Sequence, residues 1–324
     1  MTNQYTLTER IRYRAYKTAL GLCASLPWPC IHALSRGLGW VLHRGVGYRR
    51  TVVQENIRRS FPELGQTEAE RLAREFYRRF VMQFISAAKM LSQPSKTILQ
   101  RHLKYEGLEL FERLLRQGLP HSILLLGHCG NWELFSAGSL YLAPMGITQD
   151  QLYRPLRDRA ADRLFLEMRT QHGSLVVPKS EIGRRMLSEL KESNPQPRSW
   201  LFLSDQKPSR DHVNYWTLFL NQPTAFLDGA ERLARKYNLP VIYMDIERLS
   251  DRQYVGHMKL ICENPKEAKP YEITESYARM LEATIMRDKA GWLWSHKRWR
   301  YALEDYPKAV RSERLTDYLN QQNV

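Results

Sequence analysis

Two residues with side chains suited to moving a proton stand five positions apart in this chain, His128 and Glu133, in the stretch His-Cys-Gly-Asn-Trp-Glu. An imidazole beside a carboxylate is held in one tautomer, and the imidazolium it becomes on taking a proton is stabilised. Such a pair suits general-base removal of a proton from a hydroxyl. On one continuous helix, residues five apart would point about 140° away from each other. A strand-to-helix turn can instead fold the carboxylate back onto the ring. The plainer reading of the same six residues is a hydrogen-bonded loop histidine followed by a glutamate that a helix N-terminus favours.

The flanking residues supply such a turn. Ile123 to Leu126 are wholly apolar, as in a strand buried inside an α/β sheet. Gly127 breaks the run. Asn131 is placed to cap a helix over 134–142, with Glu133 in its first turn. His128 then stands at the C-terminal end of a strand, in the crevice where open α/β sheets hold their reaction sites.

Other chemically useful residues fall at similar strand ends. Arg154 and Arg157 follow a strand expected over 146–153, where a planar guanidinium suits a phosphate or sugar-borne anion. Arg169 closes a helix expected over 158–171. It can stabilise an oxyanion, bind a phosphate or make a surface ion pair. Asp205 and Gln206 end a strand at 200–203, with Lys207 and Arg210 adding positive charge. Asp205 can orient Arg169 or an acceptor group, or simply close a polar turn. Asp211 and His212 lack a second His or Cys at ligand spacing, so no metal is expected. The run from Gly291 to Arg300 interleaves tryptophans with basic residues. That composition serves single-strand nucleic-acid binders and membrane interfaces alike.

Together these segments resemble one family. His128–Glu133 is similar to the His-x4-Asp/Glu motif of the lysophospholipid acyltransferase superfamily, and its surroundings resemble the late acyltransferases of lipid A biosynthesis, the lauroyl and myristoyl transferases. Leu152-Tyr-Arg-Pro-Leu-Arg157, Arg169 before Gly173, Ser204-Asp-Gln206, Phe219 to Thr224 with Gly229-Ala-Glu-Arg-Leu-Ala234, and Trp294-Ser-His-Lys-Arg-Trp299 come in the family's order over most of the chain. The Pro-Glu-Gln that often precedes the last element is replaced by Lys289-Ala-Gly291.

The resemblance implies O-acyl transfer from a thioester of acyl carrier protein, or of coenzyme A, to a hydroxyl of an anionic lipid A precursor. No cofactor, metal or acyl-enzyme is implied. His128 would be the base, Glu133 the carboxylate that orients it, and Arg169, Asp205 and Arg154 residues that bind the oxyanion or substrate. The place of action would be the cytoplasmic face of the inner membrane. An aminolipid or lysophospholipid acceptor would keep the same chemistry. A single-stranded nucleic-acid binder is the reading from another class. It accounts for the C-terminal run but leaves His128, Glu133 and the apolar N-terminus without a role.

The whole chain is consistent with this. Its 324 residues suffice for one large α/β domain with a helical piece, and Lys plus Arg exceed Asp plus Glu by 49 to 34. An excess of 15 positive charges points to anionic partners: headgroups, phosphorylated substrates, an acidic carrier protein or nucleic acid. Cys23, Cys30, Cys129 and Cys262 show no disulfide or metal spacing, which fits a reducing compartment. Cys129 reads as a small buried residue rather than an acyl-carrying nucleophile.

From Tyr105 onward strands and helices alternate. Strands are expected at 122–127, 146–153, 175–177, 200–203, 240–247 and, at an edge, 254–262. Helices are expected at 107–117, 158–171, 181–191, 229–237 and 271–287. This implies an α/β fold with a mixed, largely parallel central sheet and helices on both faces. The expected divisions are 1–48, N-terminal membrane-interface helices; 49–104, a helical region packed on the core; and 105–324, the α/β acyltransferase domain. Residues 18–35 lack Asp, Glu, Lys and Arg but are broken by Pro27 and Pro29, so they only just reach a membrane span. They read as helices lying in the bilayer interface, with Trp28 and Trp40 as anchors and Arg12, Arg14, Lys17, Arg36 and Arg44 facing headgroups. No small-residue cleavage site marks a signal peptide. Thr67 and Glu70 read as a capping box opening a long helix that carries Phe76, Phe80, Phe84, Ile85 and Ala88. Most of these belong to the core, and some could line an acyl-chain cavity.

Overall fold

A computed structural model describes residues 5–192 and 195–322. Helices come first: α1 (Leu7–Ser25), α2 (Trp28–Trp40), α3 (Arg50–Ser60), α4 (Gln66–Leu91) and the short α5 (Ser95–Arg101). Pro27 ends α1 and precedes α2, whose first turn tolerates Pro29 because its missing N–H would have no helical partner there. α2 runs on into a π-helical turn at Val41–Gly45. α4 starts two residues earlier than the capping box of Thr67 and Glu70 suggests. Gly65 is its last extended residue, and Glu68 accepts the Gly65 N–H at 3.3 Å.

The alternating part contains β1 (Leu103–Glu106), α6 (Glu109–Arg116), β2 (His121–Leu126), α7 (Ser139–Leu142), β3 (Thr148–Tyr153), α8 (Arg159–Thr170), β4 (Leu175–Pro178), α9 (Ile182–Leu190) and β5 (Arg198–Leu203). It continues with β6 (Tyr215–Phe219), β7 (Gln222–Phe226), α10 (Gly229–Tyr237), β8 (Val241–Ser250), β9 (Gln253–Cys262), α11 (Glu272–Arg287), β10 (Val310–Arg311) and α12 (Glu313–Gln322).

Seven strands form one sheet in the order β1-β9-β8-β2-β5-β3-β4. Only the β8–β9 pairing is antiparallel. The expected mixed, largely parallel sheet is therefore present. β2 is buried along its whole length because both its faces are covered. Ile123 and Leu125 enter a core with α3, α4, α10 and α11, while Leu124 and Leu126 enter another with α5, α6 and Met168 of α8.

Three expectations change. β9 is not an edge strand, because β1, shorter than its neighbours and unrecognised in the sequence, pairs outside it. A second sheet, β10-β6-β7, was not legible either. Its hairpin turns through Leu220 and Asn221, both at positive φ (48° and 60°), without the glycine that usually marks such a turn. The segment after His128 is not an α-helix over 134–142 but a 3₁₀ turn, Trp132–Gly138, followed by the single turn of α7. Asn131 does not cap it; its Nδ2 donates to Ser86 Oγ at 3.0 Å.

α1 lies along α8 through Tyr13 and Lys17 on Glu167 (2.5 and 3.0 Å) and Arg12 on Asp158. Arg44 faces Glu70 at 3.7 Å. Arg12, Lys17 and Arg44 thus each reach a protein carboxylate while remaining exposed, as Arg14 and Arg36 are. Trp28 is half-buried between Lys89 and Arg252, while Trp40 is 63 % exposed. No helix among the described residues is long and apolar enough to cross a membrane.

Candidate active site

β2 and β5 run parallel with Leu126 opposite Leu203. Two residues further along each chain lie His128 and Asp205, so strand register brings their side chains level. Ser204 extends the ladder by donating its N–H to the Leu126 carbonyl at 3.3 Å. Gly127 keeps this edge narrow: a Cβ there would meet Leu281 Cδ1 at 2.4 Å and Asp205 Oδ2 at 3.4 Å.

Asp205 Oδ1 is 2.5 Å from His128 Nδ1. Asp205 Oδ2 accepts the His128 backbone N–H at 2.7 Å and the Trp292 indole N–H at 2.8 Å. The carboxylate is 2 % exposed, and burial by itself would raise its pKa. The His128 partner and these donors overcome that and bring it down to about 2. Asp205 is ionised near neutrality, so in the neutral imidazole of His128 the proton lies on Nδ1, facing it, and the lone pair on Nε2. Gln206 Nε2 lies 3.4 Å from that nitrogen, and the Trp132 ring meets the imidazole edge-on at 5.1 Å. The His128 side chain is 15 % exposed and can be reached from outside.

Glu133 is not the carboxylate on His128. It is buried and accepts from Arg169 Nε and Nη2 at 2.9 and 2.7 Å. The 3₁₀ turn aims Glu133 at the last turn of α8, where the planar fork of Arg169 matches a carboxylate in two-point contact. Asp205 correspondingly orients His128, not Arg169. Burial works against the charge on Arg169, but Glu133 more than offsets this and raises its pKa. Arg154 follows β3 on the same sheet edge, exposed like Arg157. The fold brings neither into hydrogen bonding with His128 or Asp205.

Trp292 was the residue missed at this centre. It pairs across an isolated backbone bridge with Cys129, and Gly130 donates its N–H to the Gly291 carbonyl at 2.9 Å. Gly130 takes φ +55°, which a side chain would oppose. The signal for Trp292 was its place in the Trp-rich run, whose composition fits nucleic-acid binders and membrane interfaces alike. Trp292 and Trp294 are 3 % and 0 % exposed, and Trp299 donates to Thr224 Oγ1 at 2.7 Å. These rings are core, so the stacking platform of a nucleic-acid binder is absent from this run. Cys129 is buried, which pushes its thiol well above the usual range and makes it a poor nucleophile.

Behind Trp132 and Gly130 lies a cleft bounded by Phe76, Phe80, Met82 and Tyr254. Its volume of about 20 Å³ takes a water molecule, not a fatty chain. A row of half-buried aromatics runs outward instead: Phe84 meets Phe80, Trp132 and Phe165 at 5.3, 6.4 and 6.0 Å. Among the described residues, no group of three or more His, Cys, Asp or Glu side chains is arranged to hold a metal ion. His212 lies on an exposed turn with Nδ1 3.1 Å from Ser209 Oγ.

Residues 3–301 match the family model described as bacterial lipid A biosynthesis acyltransferase. The chain is similar to the lipid A biosynthesis palmitoleoyltransferase of Escherichia coli (strain K12), 23 % identical over 285 residues, covering 87 % of this chain and 88 % of the relative. The lipid A biosynthesis lauroyltransferase of the same organism is 24 % identical over 293 residues, 89 % of this chain and 91 % of the relative. A lipid A biosynthesis acyltransferase of Shigella flexneri is 23 % identical over 285 residues, 87 % of this chain and 88 % of the relative.

Proposed function

The chain belongs to the bacterial lipid A biosynthesis acyltransferase family and is an acyltransferase; on that premise we propose that it moves a fatty acyl chain from an acyl thioester to a hydroxyl of a lipid A-type precursor, with His128 as general base and Asp205 as the carboxylate that orients it. The observation that carries this reading is the 2.5 Å contact between His128 Nδ1 and Asp205, which holds the neutral ring in the tautomer whose lone pair is on Nε2, on a side chain that is partly open.

In this mechanism His128 Nε2 takes the proton of the acceptor hydroxyl as its oxygen attacks the thioester carbonyl. Asp205 stabilises the imidazolium. The tetrahedral adduct collapses with cleavage of the carbon–sulfur bond, and the proton on Nε2 passes to the leaving thiolate. The products are an ester and a free thiol, with no acyl-enzyme. Arg169 has Nε and Nη2 committed to Glu133, so its Nη1 is the charged donor offered to the oxyanion. Glu133 serves by holding that guanidinium. Arg154, exposed at the same sheet edge, suits an anionic group of the acceptor.

The acyl chain lies along the aromatic row of Phe80, Phe84, Trp132 and Phe165. The net charge of +15 suits an anionic donor, a thioester of an acidic carrier protein or of the phosphate-bearing coenzyme A. Exposed Leu7, Ile11, Leu22, Trp40 and Val46, beside Arg10, Arg14 and Arg36, support docking of α1 and α2 in the interface of the inner membrane, at its cytoplasmic face.

The test is mass spectrometry of products after purified protein is given acyl carrier protein thioesters and a lipid A precursor. A gain of one acyl group is expected, absent with His128→Ala. No gain with any donor, or full transfer by the variant, would sink the reading.

A further inference from the structure

The C-terminal segment after Trp292 holds the turn that carries Asp205 one residue at a time. Trp292 donates to Asp205 itself. The next-but-one backbone N–H, that of Lys207, donates to His296 Nε2 at 3.1 Å. Tyr301 donates its hydroxyl to the Pro208 carbonyl at 3.0 Å and accepts from Lys207 Nζ at 3.0 Å. Between the first two contacts sits Gln206, the neighbour of His128 Nε2. We propose that His296 is a positioning residue for the transfer reaction: its Nε2 lone pair pins the Asp205–Lys207 turn against His128. This rests on the reading of His128 and Asp205 as base and orienting carboxylate.

The role requires His296 to keep that lone pair, because a protonated imidazole is a donor at both nitrogens and would face the Lys207 N–H with nothing to accept it. Its surroundings secure this. Asn56 Nδ2 donates to the His296 carbonyl and Arg49 to the Ser295 carbonyl, fixing the backbone on both sides of the ring. Two residues along, Arg298 is 2 % exposed, its guanidinium 4.5 Å from the Phe226 ring. It makes one side-chain hydrogen bond, Nη1 to the Ala225 carbonyl, while Nε and Nη2 have no partner. An arginine buried with two donors idle is an expensive way to fill space. A fixed cation beside His296 gives it a use.

The groups facing His296 are Arg298 and Lys207, whose charges oppose its protonation, His128, which opposes it when it is itself protonated, and Asp205, which favours it. Burial comes first and Arg298 second in drawing the ring down to about 4. Arg298, itself lowered by burial to about 10, is still a cation at neutral pH.

The test compares His296→Leu, His296→Gln and Arg298→Met in the full-length protein, with steady-state kinetics across pH and circular dichroism to confirm folding. The glutamine amide oxygen falls near the place of Nε2 and can accept from Lys207; leucine cannot. His296→Leu should lower kcat roughly thirtyfold with KM for both substrates little changed, and His296→Gln should recover most of it, as expected for loss and return of one positioning hydrogen bond. Arg298→Met should shift the acid limb of the kcat profile to higher pH as His296 gains a proton, and that shift should vanish in the Arg298→Met, His296→Gln double variant. Wild-type kcat in folded His296→Leu would overturn the proposal, as would equal losses in the leucine and glutamine variants. If Arg298→Met does not fold, the leucine–glutamine comparison decides alone. His128→Ala run alongside separates the two levels: full activity there fails the underlying mechanism, whereas its inactivity with a fully active His296→Leu fails only this inference.

Discussion

His128 and Asp205 face each other because β2 and β5 are paired with Leu126 opposite Leu203, and each functional residue lies two positions beyond its strand's last rung. A slip of one residue in that register would turn every side chain of one strand to the other face and separate the pair. The two residues are 77 apart in sequence. Their relation belongs to the sheet, not to a motif.

Two isosteric substitutions separate the carboxylates. Asp205→Asn should lower kcat by roughly a thousandfold or more, because an amide presented to Nδ1 favours the wrong tautomer and no longer stabilises the imidazolium. Glu133→Gln should leave the pH dependence of transfer in place while weakening the hold on Arg169. Product formation over pH 5.5–9 measures both, and a Glu133→Gln profile displaced like that of Asp205→Asn would refute this division of roles.

Trp292→Phe keeps the ring packing and removes one donor from Asp205. A fall in kcat of about tenfold is expected, the scale of one hydrogen bond to a charged group. Initial rates at saturating donor and acceptor test it, and an unchanged rate would show that the two remaining contacts of Asp205 suffice.

The proton affinity of His296 also makes folding pH-dependent. Near 4 when folded and about 6.5 when unfolded, it leaves the unfolded chain with the extra proton between those values. Stability therefore falls as pH drops from 6.5 toward 4, by up to about 1.4 kcal/mol per unit. Asp205 acts in a lower window: depressed to about 2, it contributes stability above the unfolded carboxylate value and loses it only as pH falls toward 2. Urea titrations at pH 7 and 4.5 should show the wild type losing about 2 kcal/mol more than His296→Gln. Equal losses would contradict the buried neutral state.

Away from the site, Arg198 bridges Asp150 at 2.8 Å and Glu189 at 2.7 Å, all three buried. Arg198→Met should cost about 3–5 kcal/mol by leaving the buried Asp150 without its cation, while Glu189 keeps Arg185 at 2.7 Å. Thermal melting measures it, and a melting temperature within a degree or two of the wild type would mean Asp150 finds a proton or another partner.

Trp40→Ser should weaken binding to anionic phospholipid vesicles by roughly tenfold, since burying an aromatic ring in the interface contributes on the order of 1–3 kcal/mol. Vesicle flotation reads it directly. Unchanged flotation would remove Trp40 from the docking face.

Much of the scaffold was legible. The apolar run at Ile123–Leu126 could only be a strand covered on both sides, and it is. Pro27 broke the N-terminal helices where the missing donor and fixed φ require it. β1 and the β6–β7 hairpin escaped notice for local reasons: one is four residues long, and the other turns on Leu220 and Asn221 without a glycine.

The sequence by itself determined that a histidine would stand at the C-terminal end of a buried strand, with an arginine and two carboxylates at neighbouring element ends. Hydrophobic patterning and strand-breaking glycine suffice for that, because both act over a few residues. Which carboxylate each cation would take was decided only by tertiary structure. Proximity along the chain favoured Glu133 for His128, but ion pairing depends on distance and direction in space. The parallel register of β2 and β5 delivered Asp205 to the imidazole, the 3₁₀ turn sent Glu133 to Arg169, and a strap from the far end of the chain closed over both Asp205 and Lys207.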